Sequence, residues 1–339
     1  MAADSEKLTV AVTGPTGTFG AGLMPLLVAD PRVERVVGVA RRPFDPVERG
    51  WTSMTYQQGD VRDAEALAKA FTGADVVVHL AFLITGTAGR ETTREVNVEG
   101  TLNAFRAAAA AGAKRFVYAS SVAAYGFHPD NPVGIREEWP VRPAKKLFYA
   151  QEKAELEQLL ADEVAAHPGL ALYVLRPSIV VGPNFIGGKQ LMPSWLGGLG
   201  EAINGWLASR SGVGRLPVPL PVVVPGISLQ LVHEADVGEA LLQCVLGAGP
   251  PGAYNIAGDG LVTVAELARE LGATPIEVPE SLTRTAARWA SRARLPAFAE
   301  WVEAASHPAI MDTTKAKVEL GWTPRYDALE ALRATLTGE

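Results

Sequence analysis

Tyr149 and Lys153 stand four residues apart in the segment LFYAQEKAE (147–155), which is predicted to be helical. Side chains four apart leave the same face of a helix, so the phenol and the ammonium would be neighbours. A tyrosine has an ordinary pKa of about 10, and a nearby positive charge favours the phenolate and lowers that pKa. Such a phenol can exchange a proton with an alcohol or a carbonyl oxygen. Surface or packing pairs have the same spacing, so the pair alone does not decide between the two interpretations.

Three glycines lie between a predicted strand and a predicted helix in the segment VAVTGPTGTFGAGL: Gly14, Gly17 and Gly20. Glycines at such a turn let the backbone approach a pyrophosphate, which then lies at the N-terminus of the helix. The alternative is a Gly-rich turn that binds no ligand. The strand–turn–helix context favours dinucleotide binding.

Short apolar runs alternate with Ala-rich helical stretches through the first half of the chain. This alternation predicts an α/β fold with a doubly wound, Rossmann-type parallel sheet covered by helices on both faces. The predicted strands are 7–14, 33–40, 74–81, 114–121, 170–177 and 252–258, and the predicted helices are 19–30, 63–73, 93–112, about 146–166 and 234–247.

The composition changes after about residue 178. Residues 178–232 are rich in Gly, Pro and Trp, and they contain few charged residues. We predict a dinucleotide-binding core at 1–177, completed by about 228–258, and a smaller, discontinuous substrate-binding lobe at 178–227 and 259–339. An apolar lobe suits an apolar or aromatic carbonyl compound. The alternative is that these residues only pack the lobe or form a subunit interface.

The bulk composition excludes several classes of protein. The chain has 339 residues and a formal net charge of −6, so we expect no nucleic-acid partner. Neither the N-terminus nor the uncharged stretch 216–232 has the features of a signal peptide or a membrane span, so we expect a cytoplasmic protein with no membrane partner. The single cysteine, Cys244, is expected to pack as a small hydrophobe, and the five histidines match no metal-ligand spacing, so no metal is expected.

The spacing Gly-x-x-Gly-x-x-Gly resembles that of the extended short-chain dehydrogenase/reductases, also called the NAD-dependent epimerase/dehydratase family. Further segments resemble motifs of that family, so the resemblance covers nearly the whole chain. They are GDVRD (59–63), HLAF (79–82), NVEGTLN (97–103), YASSVAAYG (118–126), LRPSIVVGP (175–183), LVHEADVGEA (231–240) and DTTKAKVELGWTP (312–324).

The resemblance implies a catalytic set of Ser121, Tyr149 and Lys153. Tyr149 would be the acid/base during hydride transfer, Ser121 would hold the substrate oxygen, and Lys153 would also bind the nicotinamide ribose. The family's catalytic Ser/Thr lies four residues before the Tyr of its YG motif, here Tyr125, so Ser121 is chosen and Ser120 is expected beside the cofactor. The residues expected to contact the dinucleotide are Gly14, Thr16, Gly17, Phe19, Gly20, Arg41, Arg42, Asp60, Val61, Leu80, Ala81, Phe82, Asn97, Ser120, Tyr149, Lys153 and Pro177.

The end of the second predicted strand bears on the choice of cofactor. An NAD enzyme places an acid there, which binds both ribose hydroxyls and repels a 2′-phosphate. Here the acid position is Ala40, and Arg41 and Arg42 follow. Arginines can pair with a phosphate through charge-assisted bonds. NADP(H) is therefore favoured and NAD(H) remains possible; the alternative for either arginine is a solvated surface charge.

Departures from the family patterns narrow the reaction. Sugar 4,6-dehydratases of this family carry Asp-Glu directly after the catalytic Thr, where this chain has Val122 and Ala123. Nucleotide-sugar epimerases place an Arg and an Asn at the positions of Leu229 and Ile179, and a diphosphate without that arginine loses charge-assisted bonds of about 1.5–3 kcal/mol each. We therefore expect an NADP-dependent oxidoreductase that acts on a largely apolar ketone or alcohol.

Two other functions stay open. One is a nucleotide-sugar epimerase with relocated phosphate contacts, and the other is a non-catalytic dinucleotide sensor that binds partner proteins. The family resemblance also implies a homodimer that forms through the two long helices, 93–112 and about 146–166. Glu137 and Glu138 are expected to be surface charges of a loop.

Overall fold

The computed structural model describes residues 7–84, 89–145, 147–185, 221–278 and 307–338. Its strands are β1 (Leu8–Thr13), β2 (Val33–Ala40), β3 (Met54–Gln58), β4 (Val76–His79), β5 (Arg115–Ala119), β6 (Ala171–Pro177), β7 (Ile179–Val181), β8 (Pro221–Pro225), β9 (Ser228–Leu229), β10 (Leu231–His233), β11 (Gly252–Ile256), β12 (Val262–Thr263) and β13 (Thr274–Val278).

The α-helices of the described residues are α1 (Thr18–Ala29), α2 (Ala64–Ala70), α3 (Arg90–Arg94), α4 (Gly100–Ala110), α5 (Phe148–Ala166), α6 (Glu234–Leu246), α7 (Val264–Glu270), α8 (Thr314–Glu319) and α9 (Ala328–Thr337). A π-helical turn, Glu95–Glu99, joins α3 to α4. Short 3-10 turns span Val47–Arg49 and Val122–Tyr125.

The central sheet has seven strands in the order β11-β6-β5-β4-β1-β2-β3. Every neighbouring pair in it is parallel. The order places β1 near the middle and reverses direction there, which is the arrangement of a doubly wound sheet. The predicted α/β fold is therefore confirmed. The remaining described strands form the pairs β10-β7, β12-β9 and β13-β8.

Alternate residues of the sheet pack into two separate cores. In β1, Val10 and Val12 belong to one buried cluster and Ala11 to the other. The first cluster includes buried residues of α1 and α6, and the second includes those of α2, α4 and α5. Strand residues are therefore apolar on both faces, because helices cover both. Cys244 is buried in the first cluster, as expected.

Two elements of the central sheet and its covering helices differ from the sequence prediction. Strand β3 was not predicted, because only Met54 of its five residues is buried and the edge strand has no apolar run. The predicted helix at 93–112 is instead α3, a π-helical turn and α4. The extra residue per turn in the π-helical section changes the direction of the following side chains, and it falls at Asn97.

The predicted division into a core and a lobe stays a prediction. Most of residues 178–227, and residues 279–306, lie outside the described part of the chain. Strand β11 does complete the sheet by pairing with β6. Across the described residues, no helix has the length and apolar character that crossing a membrane requires.

Candidate active site

The predicted site residues gather at one edge of the central sheet. Residues 14–20, 41–42, 60–61, 80–82 and 120–121 each follow the carboxyl end of a parallel strand, and Pro177 ends β6. Carboxyl ends of parallel strands meet at the same edge, which is where open α/β sheets bind ligands. Helix α5 adds Tyr149 and Lys153 to this edge, and the π-helical turn adds Asn97.

The glycine loop has the backbone of a phosphate cradle. Gly14 has φ of +69°, and a Cβ there would lie 2.8 Å from the backbone nitrogen of Ala81. At Gly17 a Cβ would have only the Gly14 carbonyl oxygen near it, at 3.5 Å, so space is open above the turn. Gly17 is also the N-cap of α1, with no side-chain cap and no acidic residue in the first turn. A helix N-terminus without a side-chain cap, with open space above it, fits a pyrophosphate.

Two exposed arginines follow β2, and the aspartate beside them is already bonded to another arginine. Arg41 and Arg42 are exposed, and within the described residues neither guanidinium has a hydrogen-bond or ion-pair partner. Asp60 accepts from Arg62 Nε at 3.0 Å and from Arg62 Nη2 at 2.8 Å. These bonds to Arg62 lower the pKa of the Asp60 carboxyl. The edge therefore offers free positive charge but no free carboxylate from Asp60.

Not every predicted contact residue is open to a ligand through its side chain. Val61 is 5% exposed and lies in the second core cluster. Phe19 packs against the first cluster. For Val61, contact with a dinucleotide through the side chain conflicts with packing in the core, whereas Phe19 is only partly buried and keeps part of its ring accessible.

Ser121 and Tyr149 are brought together. Ser121 is the N-cap of the 3-10 turn, and its Oγ accepts from the backbone nitrogen of Ala123 at 3.2 Å. Tyr149, the second residue of α5, lies close enough to Ser121 for the Ser121 hydroxyl to lower the pKa of its phenol. Burial is the larger influence and raises that pKa. At neutral pH the phenol is protonated in this arrangement.

Lys153 is buried and faces the sheet. Its Nζ donates to the carbonyl oxygen of Ala119 at 2.7 Å and to Tyr118 Oη at 3.3 Å. The same ammonium lies 3.6 Å from the centroid of the Phe82 ring, and 5.9 Å from that of Tyr149. Burial lowers the pKa of Lys153 to about 7, against the raising effect of Glu157 and Glu152.

The predicted tuning of Tyr149 by Lys153 is therefore not seen in this arrangement. The Phe82 ring packs edge-on against the Tyr149 ring, with centroids 5.6 Å apart, and it also covers Lys153. The ammonium instead donates its hydrogen bonds to strand β5. Desolvation consequently outweighs any effect of the Lys153 charge on the Tyr149 pKa.

Asn97 holds the loop that carries Phe82. Its Oδ1 accepts from the Leu83 nitrogen at 2.8 Å, and its Nδ2 donates to the Leu83 oxygen at 2.9 Å. Nδ2 also donates to Glu152 Oε2 at 2.7 Å. Glu152 is buried, its Oε1 has no hydrogen-bond partner among the described residues, and burial raises its pKa. The side chain of Asn97 thus positions protein rather than pointing at a ligand.

A buried polar network lies behind the catalytic set, and sequence reasoning missed it. Ser120 Oγ donates to Glu157 Oε1 at 2.5 Å, and Glu157 forms a buried ion pair with Arg176 at 2.5 Å. Arg176 Nη1 donates to Tyr125 Oη at 2.7 Å, and Tyr125 donates to Asn255 Oδ1 at 2.8 Å. Ser120 therefore turns toward α5 and β6, which does not place its hydroxyl beside a cofactor as predicted.

Two signals for this network were present in the sequence. Glu157 lies four residues after Lys153 and so on the same face of the helix, and Arg176 is a charge in an otherwise apolar strand. A further residue of this network, Glu137, contradicts the prediction that it is a surface charge. Glu137 is half-buried and accepts from the Asn255 nitrogen at 2.8 Å, and burial raises its pKa, whereas Glu138 is exposed as expected.

The fold and the site together define a dinucleotide-binding α/β enzyme. A model of the NAD dependent epimerase/dehydratase family matches residues 10–257. The chain therefore belongs to this family, which comprises the extended short-chain dehydrogenase/reductases, and it is an enzyme with an NAD-binding fold.

Two proteins with sequences similar to this chain illustrate the range of names among its relatives. An uncharacterized protein of Mycobacterium tuberculosis, Rv0501, is 27% identical over 335 residues, which cover 95% of this chain and 81% of that protein. Sterol demethylase protein B of Methylococcus capsulatus is 32% identical over 178 residues, or 52% of each chain.

Two crystal structures extend the comparison. That of gox2253 superposes with a TM-score of 0.73 at 26% identity, covering 97% of both chains. That of the Thermus thermophilus UDP-glucose 4-epimerase in complex with NAD has a TM-score of 0.69 at 24% identity, covering 98% of both chains. The second likeness shows the shared fold.

Proposed function

We propose that the protein is an NADP(H)-dependent oxidoreductase that transfers hydride between the cofactor and a largely apolar ketone or alcohol. The observation that carries the proposal is the meeting of Ser121, Tyr149 and Lys153 beside the glycine loop. A bound nicotinamide would supply or accept the hydride. The chain's own groups would then have to bind the substrate oxygen and move one proton.

Tyr149 suits the proton transfer. Its phenol carries the proton at neutral pH, because burial raises its pKa, so it can protonate the oxygen of a carbonyl that receives hydride. Ser121, whose hydroxyl lies close to the Tyr149 phenol, can donate to or accept from the same oxygen. Lys153 would place a positive charge beneath this pair and stabilise negative charge that develops on the oxygen.

Arg41 and Arg42 support the choice of NADP(H). Both are exposed after β2, and Ala40 stands where an acid would repel a 2′-phosphate. A phosphate would give these guanidinium groups the charge-assisted bonds that the described residues do not supply. NAD is nevertheless the cofactor named with the Thermus thermophilus epimerase, so NAD(H) stays an outcome of the test.

Apolar side chains at the same edge support an apolar substrate. Ile84 follows β4 and is 52% exposed, and Ile179 begins β7 and is 41% exposed. Phe82 lies directly against Tyr149. The name of sterol demethylase protein B points the same way over the half of the chain that it matches. A large apolar carbonyl compound would cover these side chains.

The test is an assay of the purified full-length protein with NADPH or NADH and a panel of steroid, aromatic and aliphatic ketones. We expect NADPH oxidation with at least one apolar ketone. Retention of tightly bound NAD, together with interconversion of a UDP-sugar and no net redox change, would instead establish the epimerase. Absence of both reactions with preserved dinucleotide binding would favour the sensor.

The homodimer remains part of this proposal. It would form through the outer faces of α4 and α5, as in the family's pattern, and light scattering of the purified protein would measure its mass.

A further inference from the structure

Glu157 lies where it can act on two members of the catalytic set at once. It is four residues after Lys153 on α5, and its carboxylate reaches the end of β5 through Ser120 Oγ, at 2.5 Å. Its side chain is 10% exposed, and its ion-pair partner Arg176 is 7% exposed. A carboxylate in such surroundings interacts with neighbouring charges far more strongly than one in water.

The bond to Ser120 bears on the direction of Ser121. Ser121 directly follows Ser120 and has extended backbone angles, φ −164° and ψ 154°. Holding Ser120 against Glu157 therefore fixes the backbone from which the Ser121 side chain reaches Tyr149. Arg176 fixes Glu157 in turn with Nε at 3.0 Å and 3.1 Å from the two carboxylate oxygens.

We propose that Glu157 is a positioning residue for the catalytic set: it holds the end of β5 through Ser120 and supplies the buried negative charge that balances Lys153. The inference deepens the proposed function and rests on it for the kinetic consequences. The effect on Lys153 itself can be measured without any substrate.

The charge balance around Lys153 involves groups on four elements. They are Tyr149, Glu152 and Glu157 on α5, Tyr118 on β5, His79 on β4 and Arg176 on β6. The pKa of His79 is lowered to about 3, so it is neutral, and the two tyrosines are protonated at neutral pH. Arg176 opposes the effect of Glu157 on Lys153 but is already paired. Among the carboxylates, Glu157 raises the Lys153 pKa most and Glu152 less.

The direct test is an NMR titration of Lys153 in protein labelled with ¹³Cε-lysine. The Lys153 signal is identified because it is missing from the spectrum of Lys153→Met. We expect the Glu157→Gln substitution to lower the Lys153 pKa by about 1, because the amide still accepts from Ser120 but carries no charge. Glu155→Gln is the matched control, since Glu155 is on the same helix but exposed and paired with Arg94. An unchanged Lys153 titration in folded Glu157→Gln would overturn the proposal.

A second variant covers the case in which Glu157→Gln does not fold. Glu157→Asp keeps the negative charge but shortens the side chain by one methylene, which withdraws the carboxylate from Ser120 and from Lys153. The Lys153 signal should therefore titrate at lower pH than in the unsubstituted protein. The same titration in both proteins would also overturn the inference.

The kinetic arm uses a ketone substrate of the proposed reaction. The high-pH limb of kcat should move to lower pH in Glu157→Gln, and Ser120→Ala should lower kcat about tenfold with little change in KM. Failure to find any substrate would count against the proposed function while the NMR result for Glu157 stood. Unchanged kinetics in both variants, with a substrate in hand, would remove the positioning role.

Discussion

Two regions at the same edge of the sheet differ in how their charged side chains are surrounded. Around α5, Lys153 and Arg176 are buried and the Glu157 side chain is only 10% exposed, and each is bonded to protein groups. At the end of β2, Arg41 and Arg42 are exposed and have no protein partner among the described residues. Both regions are at the expected cofactor site, yet only the second leaves its charge available to a ligand's phosphate.

The difference shows what burial does to a charge. A buried ion needs internal partners, because desolvation costs more than any single contact returns. Burial also shifts its protonation, and desolvation lowers the pKa of Lys153 although Glu157 and Glu152 raise it. An exposed arginine stays charged whatever its neighbours are. It costs the protein little stability when no ligand is bound. In the proposed function, the buried region would carry the proton transfer and the exposed region would select the cofactor.

Breaking the buried pair is the largest stability effect that this comparison predicts. Arg176→Ala would leave Glu157 charged, buried and unpaired, so we expect the free energy of unfolding to fall by about 3–5 kcal/mol. Urea unfolding monitored by circular dichroism measures it. A loss below about 1 kcal/mol would mean that water reaches the pair and that the two regions do not differ as described.

Removing the exposed arginines should act on the cofactor instead of the fold. Arg41→Ala and Arg42→Ala are each expected to leave stability unchanged, and the one that contacts the 2′-phosphate should weaken NADPH binding by about 1.5–3 kcal/mol, or roughly 10–100-fold. Calorimetric titration with NADPH and NADH measures the change. Equal losses for both cofactors, or none for either, would contradict the role assigned to this edge.

The titration of Lys153 predicts a pH dependence of stability. Its folded-state pKa is lowered from 10.5 to about 7, so between these values the unfolded chain binds more protons than the folded chain. Stability gained from this group therefore rises with pH across that window, by up to about 1.4 kcal/mol per pH unit. The free energy of unfolding of the unsubstituted protein should therefore increase, relative to that of Lys153→Met, from pH 7 to pH 10. A constant difference between the two proteins would show that Lys153 has an ordinary pKa.

The smallest effect is expected on the outer face of α5. Arg94 and Glu155 form an ion pair whose side chains are 48% and 38% exposed. A double-mutant cycle with Arg94→Ala and Glu155→Ala should give a coupling energy of about 0.2–1 kcal/mol, and less at high salt. A coupling energy as large as that of the buried pair would remove the contrast between the two faces.

Sequence reasoning located the main elements of the fold and the shared helical face of Tyr149 and Lys153, because both depend on local patterns. Alternating apolar runs indicated the parallel strands, and the four-residue spacing placed Tyr149 and Lys153 on one face. It missed β3, whose pattern is weak, and the network of Ser120, Glu157 and Arg176, which joins residues 37 and 19 positions apart. Long-range partners of a buried polar group follow from the packing of the strands, which no local pattern records.

The protonation of Tyr149 illustrates the same limit. The expected lowering of its pKa rested on the spacing to Lys153, whereas the packing of Phe82 against both residues leaves desolvation as the dominant influence. The residue type of Phe82 was visible in the sequence, but the position of its ring was not.

The most direct test of the account is hydride transfer from NADPH to an apolar ketone by Tyr149→Phe, measured in a single turnover. We expect the rate to fall by about 10²–10⁴-fold, because the proton donor is lost, while NADPH binding and the unfolding midpoint stay unchanged. Tyr173→Phe is the matched control, since the Tyr173 hydroxyl donates to Gly249 far from the site. Full activity in Tyr149→Phe would contradict the assignment of Tyr149 as the acid.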